Sequence, residues 1–122
     1  MSIIKPEKVN SEPVNTGQGV SRKMLIGPEV GPNFAMRQFS IEPNGFMPLH
    51  TNWVEHEQYV LRGRAQLQLG DETVLVQAGD VVFIPDGLPH SYVNMSQEPF
   101  EFLCLVPNKE DQTEMVKPKA HC

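Results

Sequence analysis

A chain of 122 residues with a formal net charge of −5, eleven Pro, nine Gly and only two Cys is long enough for one packed domain and too short for two. Its proline and glycine content favours short strands over long helices. Residues 34–106 carry three basic side chains (Arg37, Arg62, Arg64) against nine acidic ones, which argues against nucleic acid or an anionic membrane surface as a partner.

No apolar run approaches the roughly 20 residues that span a bilayer, and the N-terminus has no basic segment followed by an apolar one. Cys104 lies in an apolar run and Cys122 is the last residue, so free thiols in a reducing, cytoplasmic setting are expected.

Residues 1–21 read as an extended arm, apolar only at Ile3-Ile4, of the kind that pairs with a partner subunit. A first strand is expected over residues 22–26, ended by the Gly-Pro punctuation of GPEVGP. NFAMRQFSI reads as a strand, and Glu42-Pro43-Asn44-Gly45 then has turn chemistry, with a new strand from Phe46. EQYVLRG and AQLQLG are two strands joined in a tight hairpin at Arg62-Gly63-Arg64, and Gly70-Asp71-Glu72 turns into TVLVQ. The turn Gln77-Ala78-Gly79-Asp80, the strand VVFIP, the turn Asp86-Gly87, the strand PHSYVN, a loop over residues 95–98 and the strand PFEFLCLVP follow. This divides the chain into an arm with a first strand (1–33), a barrel (34–106) and a tail or short terminal helix (107–122). Turns recurring about every eight to ten residues predict an all-β sandwich or small barrel.

Alternation fixes which side chains share a face. If His56 points inward, so do Gln58 and Val60, leaving Tyr59 and Leu61 outside, while Phe100, Phe102 and Cys104 alternate with the equally apolar Leu103 and Leu105. An apolar outer face in so small a chain is most simply covered by a second subunit, so a homodimer is expected.

Three of the four histidines, His50, His56 and His90, fall in or beside predicted strands, and His121 is in the tail. Three imidazoles converging on one point would hold a divalent transition metal and leave coordination positions open; each histidine alone reads equally well as a satisfied core or surface residue.

The residues around them resemble the cupin superfamily. Its first motif is Gly, a few residues, His-x-His, three or four residues, Glu, six residues, Gly, and Gly45, His50, Asn52, His56 and Gly63 stand at those places. Its second motif is matched in full by Gly79, Pro85, Gly87, His90 and Asn94. WVEHEQYVLRG and EFLCLVP also look like the very small cupins that bind manganese or iron through histidines alone, with Asn52 where that subgroup has another histidine. The Glu position is either His56 or, counted one residue later, Glu57; adjacent strand residues point to opposite faces, and the six-residue distance to Gly63 favours His56.

The resemblance implies a double-stranded β-helix (jelly-roll) barrel with one divalent transition metal per chain, manganese or iron foremost and nickel, copper or zinc as alternatives. It implies His50, His56 and His90 as ligands, and Asn52 as a fourth ligand, a hydrogen-bond partner of bound water, or a turn residue. Met47, Val60, Tyr92, Phe102 and Cys104 are expected to line a substrate pocket or simply to fill the core. Glu55 and Glu57 are second-sphere or rim charges, Trp53 a lid or a subunit contact, and Arg37, Arg62 and Arg64 possible attractors of a carboxylate. The implied activity is that of a dioxygenase-type oxidoreductase on a small oxygenated substrate, the alternatives being a non-catalytic small-molecule or metal-binding module and an isomerase or lyase.

Overall fold

The computed structural model describes residues 1–116. Residues 117–122, including His121 and Cys122, lie outside the described residues, as does that part of the expected tail. Among the described residues, ten strands follow a 3-10 turn at Pro6–Lys8: β1 (Glu12–Pro13), β2 (Gln18–Ile26), β3 (Phe34–Thr51), β4 (His56–Arg62), β5 (Arg64–Leu69), β6 (Glu72–Gln77), β7 (Val81–Ile84), β8 (His90–Asn94), β9 (Phe100–Pro107) and β10 (Glu114–Met115). All pair antiparallel in one curled sheet of order β6-β5-β8-β3-β9-β4-β7, with β2 and β10 also against β3, and β1 against β2. This is the all-β jelly-roll architecture that the motifs implied. Among the described residues no helix is long and apolar enough to cross a membrane.

The largest departure from the sequence reading is β3. Glu42-Pro43-Asn44-Gly45 was expected to reverse the chain, yet the strand runs on through 18 residues. Opposite Gly19 of β2, residues 42–45 form a bulge: the register passes from Val20↔Ile41 to Gln18↔Phe46. Asn44 takes φ 69°, and a Cβ on Gly45 would stand 2.7 Å from the Gln18 carbonyl oxygen, so the same turn-forming residues bend a strand instead of ending it. The bend moves β3 from one wall to the other. Its first half pairs with β9 from Phe34↔Pro107 to Ile41↔Phe100, and its second half pairs with β8.

Nor is there a hairpin between β4 and β5. β4 pairs with β7 and β9, whereas β5 pairs with β6 and β8. Gly63, at φ 82°, is a corner that carries the chain across the barrel, and a Cβ there would lie 2.7 Å from Pro99 O. The N-terminal arm pairs with its own chain, Glu12 opposite Arg22 and Pro13 opposite Ser21. Residues 107–116 form no helix; they return to place Glu114 and Met115 against Thr51 and His50.

Inward-pointing side chains of both walls make the core, with Ile41, Val60, Leu67, Ile84, Phe100 and Phe102 almost wholly buried. Phe102 stacks on Phe39 at 5.3 Å and on Tyr92 at 5.2 Å between ring centroids. Each such pair adds about 1 kcal/mol beyond the area it buries. Alternation along β4 is as expected: His56, Gln58 and Val60 are buried, and Glu57, Tyr59 and Leu61 are exposed. Tyr59 lies opposite Val81 on one side and Leu103 on the other, and with Phe83 and Leu61 this gives the outer wall an apolar surface.

Candidate metal centre

His50 near the end of β3 and His90 at the start of β8 are direct cross-strand partners, which sets their ring centroids 4.2 Å apart. His56 opens β4, opposite Ile84, and its ring centroid is 5.7 Å from that of His90. All three histidines are buried and line one cavity of about 170 Å³. A larger depression of about 580 Å³ beside Gly63, Gln77 and Ser96 contains no histidine or cysteine.

Second partners orient each ring. The His50 Nδ1 lies 2.7 Å from Pro48 O and the His90 Nδ1 2.9 Å from Leu88 O, so each donates its Nδ1 proton to a carbonyl and keeps its Nε2 lone pair free. The His56 Nδ1 lies 3.0 Å from Cys104 Sγ, and its Nε2 is buried with no hydrogen-bond partner. Burial drives all three pKa values down, to about 3 for His56, where Arg37 also contributes, and to about 4 for His90. The imidazoles are neutral, as ligands must be.

Asn52 lines the same cavity. Its Nδ2 donates to Thr113 Oγ1 at 2.8 Å, while its Oδ1 is buried and without a partner. Two orphaned acceptors beside two oriented imidazoles fit a divalent cation, since an unpaired buried acceptor is otherwise costly. Among the described residues, however, no three His, Cys, Asp or Glu side chains are drawn up as a finished metal cluster. The rings surround a common space without closing on one point.

Of the expected pocket residues, Met47, Tyr92, Phe102 and Cys104 line the cavity, whereas Val60 is packed in the core behind it. Val60 sits beyond Gln58 on β4, whose Nε2 donates to the Tyr92 hydroxyl at 2.7 Å and so occupies the layer between site and core. Burial pushes both the Tyr92 phenol and the Cys104 thiol up, keeping them protonated. Glu55 and Glu57 are exposed outside the cavity, whereas His56 is buried and lines it. Arg62 is also outside, paired with Glu98 and Glu101, and Arg64 is exposed.

Some lining residues had no signal in the sequence. Asp111 and Thr113 reach the cavity because residues 108–116 form a strap across its mouth. Trp53 is tied to that strap, its backbone N–H donating to Asp111 Oδ1 at 2.8 Å and its Nε1 to Glu114 Oε1 at 3.0 Å. Arg22, read only as the start of a strand, points inward with Arg37.

Residues 37–106 match the cupin domain family. The uncharacterized protein MJ1618 of Methanocaldococcus jannaschii is 28% identical over 122 residues, 96% of this chain and 98% of its own. A quercetin 2,3-dioxygenase of Bacillus subtilis is 36% identical over 77 residues, which are 62% of this chain but only 23% of the dioxygenase. Among solved structures, the polyketide cyclase RemF of Streptomyces resistomycificus is 31% identical with a TM-score of 0.89, covering 98% of this chain and 87% of its own. A predicted oxalate decarboxylase of Thermotoga maritima, at 22% identity and a TM-score of 0.80 over 87% of this chain and 98% of its own, shares the fold.

Proposed function

The chain belongs to the cupin domain family, and we propose that it binds one divalent transition metal, manganese or iron before nickel, copper or zinc, and acts as a mononuclear dioxygenase-type oxidoreductase on a small oxygenated substrate. The observation that carries this reading is the set of neutral imidazoles at His50, His56 and His90, each with Nδ1 engaged and Nε2 without a protein partner in one cavity.

His50, His56 and His90 would hold the ion through Nε2, with Asn52 Oδ1 as a fourth donor. A metal bound there supplies Lewis acidity and a redox centre for oxygen chemistry. The chain's own residues do the rest. Carbonyls at Pro48 and Leu88 fix two of the imidazoles, Gln58 holds the Tyr92 hydroxyl, and the rings of Phe39, Tyr92 and Phe102 keep bulk water from the inner end. Because every ligand is neutral, the ion keeps its full charge and favours an anionic, oxygen-bearing substrate.

A second reading, a non-oxidative isomerase, lyase or cyclase, is favoured by the likeness to the polyketide cyclase over nearly the whole chain. Elemental analysis should find close to one metal per chain; less than about a tenth of an equivalent after growth in supplemented medium would overturn the metal reading. Oxygen uptake by the Fe(II)-loaded protein with β-dicarbonyls and catechols tests the oxidative reading. Turnover without oxygen would favour the second reading, and no turnover a binding module. We also propose that the apolar outer wall is covered by a second copy, and that the protein is cytoplasmic, for which the buried free thiol of Cys104 speaks.

A further inference from the structure

Two arginines share the inner face of the barrel with the histidines. Along β3 the inward positions are Ala35, Arg37 and Phe39, and along β2 they include Val20 and Arg22, with Arg22 directly across from Phe39. Both line the cavity that holds His50, His56 and His90. The Arg37 guanidinium lies over the Phe39 ring, 5.0 Å from its centroid, with Nη2 3.2 Å from Cys104 Sγ and 3.4 Å from His56 Nδ1. Its neighbours are thus an aromatic ring, a thiol and an imidazole, and none of them is a carboxylate.

The ion pairs among the described residues join Arg22 to Glu12 and Arg62 to Glu98 and Glu101; Arg37 takes part in none. Its Nε is buried with no acceptor, and so is that of Arg22. A buried guanidinium N–H without an acceptor is costly, and the two Nε groups that lack one here belong to half-buried side chains of the one type built to bind a carboxylate in two-pronged fashion. Asp111, the acidic residue of the lining, has its Oδ1 committed to the backbone of Trp53.

We propose that Arg37, supported by Arg22 across Phe39, is the anion receptor of this cavity, and that the site takes a small organic carboxylate whose second oxygen, a 2-oxo or 2-hydroxy group, faces the histidines. The second point of attachment rests on the metal reading above; the preference for a carboxylate does not. The size of the cavity, about 170 Å³, falls below the roughly 300 Å³ at which pockets for drug-sized ligands begin, and suits an acid of a few heavy atoms. A planar carboxylate also matches the planar fork of a guanidinium better than a tetrahedral anion does.

The probe pair is pyruvate and its neutral isostere pyruvamide, titrated calorimetrically into protein of measured metal content and into metal-free protein. Wild type should bind pyruvate saturably and pyruvamide roughly tenfold or more weakly. Arg37→Gln should abolish that preference with metal content unchanged, and Arg37→Lys, which keeps the charge but not the fork, should retain part of it. Should the protein take up no metal, the preference measured in the metal-free form still reports on Arg37, so failure of the metal reading and failure of this one are distinguishable. Equal binding of the two probes, no saturable pyruvate binding by either form of the wild type, tighter binding of inorganic phosphate than of pyruvate, or an undiminished preference in either variant would overturn the assignment. If Arg37→Gln does not fold, the wild-type comparison and Arg37→Lys decide.

Discussion

Asn52 donates its Nδ2 to Thr113 Oγ1 at 2.8 Å and keeps its Oδ1 buried without a partner, so one amide ties the strap down with one end and presents an acceptor to the cavity with the other. Asn52→Ala is expected to lower metal affinity about ten- to a hundredfold in chelator competition. It should also speed amide exchange at Val116, whose N–H bonds Leu49 O at 3.1 Å. Thr113→Val should speed the exchange but leave the affinity nearly intact. Unaltered affinity in Asn52→Ala would remove Asn52 from the ligand set.

His50 and His90 face each other across β3 and β8, and neither can be replaced by a neighbour at that register. His50→Ala and His90→Ala should each reduce bound metal to less than about a tenth of an equivalent, as read by elemental analysis. Full occupancy in either variant would show that the triad is wrong.

Acid should destabilise the metal-free protein. His56 at about 3 and His90 at about 4 lie below the ordinary value of 6.5, chiefly because burial penalises the charged ring. Between those values the unfolded chain binds protons that the folded one refuses, so stability is complete above about pH 6.5 and falls as the pH drops towards 4 and then 3. Each pH unit in that window costs about 1.4 kcal/mol per histidine. Urea midpoints measured across this range should fall with acid, and the fall should be smaller in His90→Ala; a flat profile would contradict the buried neutral rings.

Gly63→Ala should cost about 1–3 kcal/mol, because φ 82° is strained for alanine and its Cβ would crowd Pro99 O. The check is the midpoint of urea unfolding with an unchanged slope. A loss of only a few tenths of a kcal/mol would mean that the corner relaxes without resistance.

Val81 is 75% exposed, Phe83 55% and Tyr59 46%, too much apolar surface in one contiguous wall for scattered chance. Wild type should elute as a dimer by light scattering, and Phe83→Asp should shift it to monomer with its far-UV spectrum preserved. A monomeric wild type at high concentration would overturn the covered-face proposal.

The strands themselves were legible because their alternation and turn residues are local properties, and the second motif gave His90 its place at the start of β8. What local patterns do not carry is where a strand goes next. Asn44-Gly45 has the same chemistry whether the chain reverses or bulges, and only the pairing with β2 decides; Gly63 likewise reads as a hairpin until β4 and β5 are seen to pair with different strands. The strap was illegible for another reason: Asp111 and Thr113 lie in a polar stretch without periodicity, and their role comes from meeting Asn52 and Trp53 about 60 residues earlier in the chain. Arg37 was noticed but could not be distinguished from Arg62 and Arg64, since charge alone does not reveal which guanidinium lacks a carboxylate.

The unbroken course of β3 has one more consequence. Its first half pairs with β9, which carries Leu103 of the apolar wall, and its second half carries His50, so the proposed subunit face and the histidine cradle are linked through one hydrogen-bonded ribbon bent at the 42–45 bulge. That side of the barrel can yield little without parting its ladder. The strap docks on the same end of that ribbon: among the described residues Glu114 and Met115 pair with Thr51 and His50, the Val116 N–H bonds Leu49 O, and Asn52 and Trp53 add three hydrogen bonds, so loosening the polar segment after β9 would disturb the histidine-bearing strand itself.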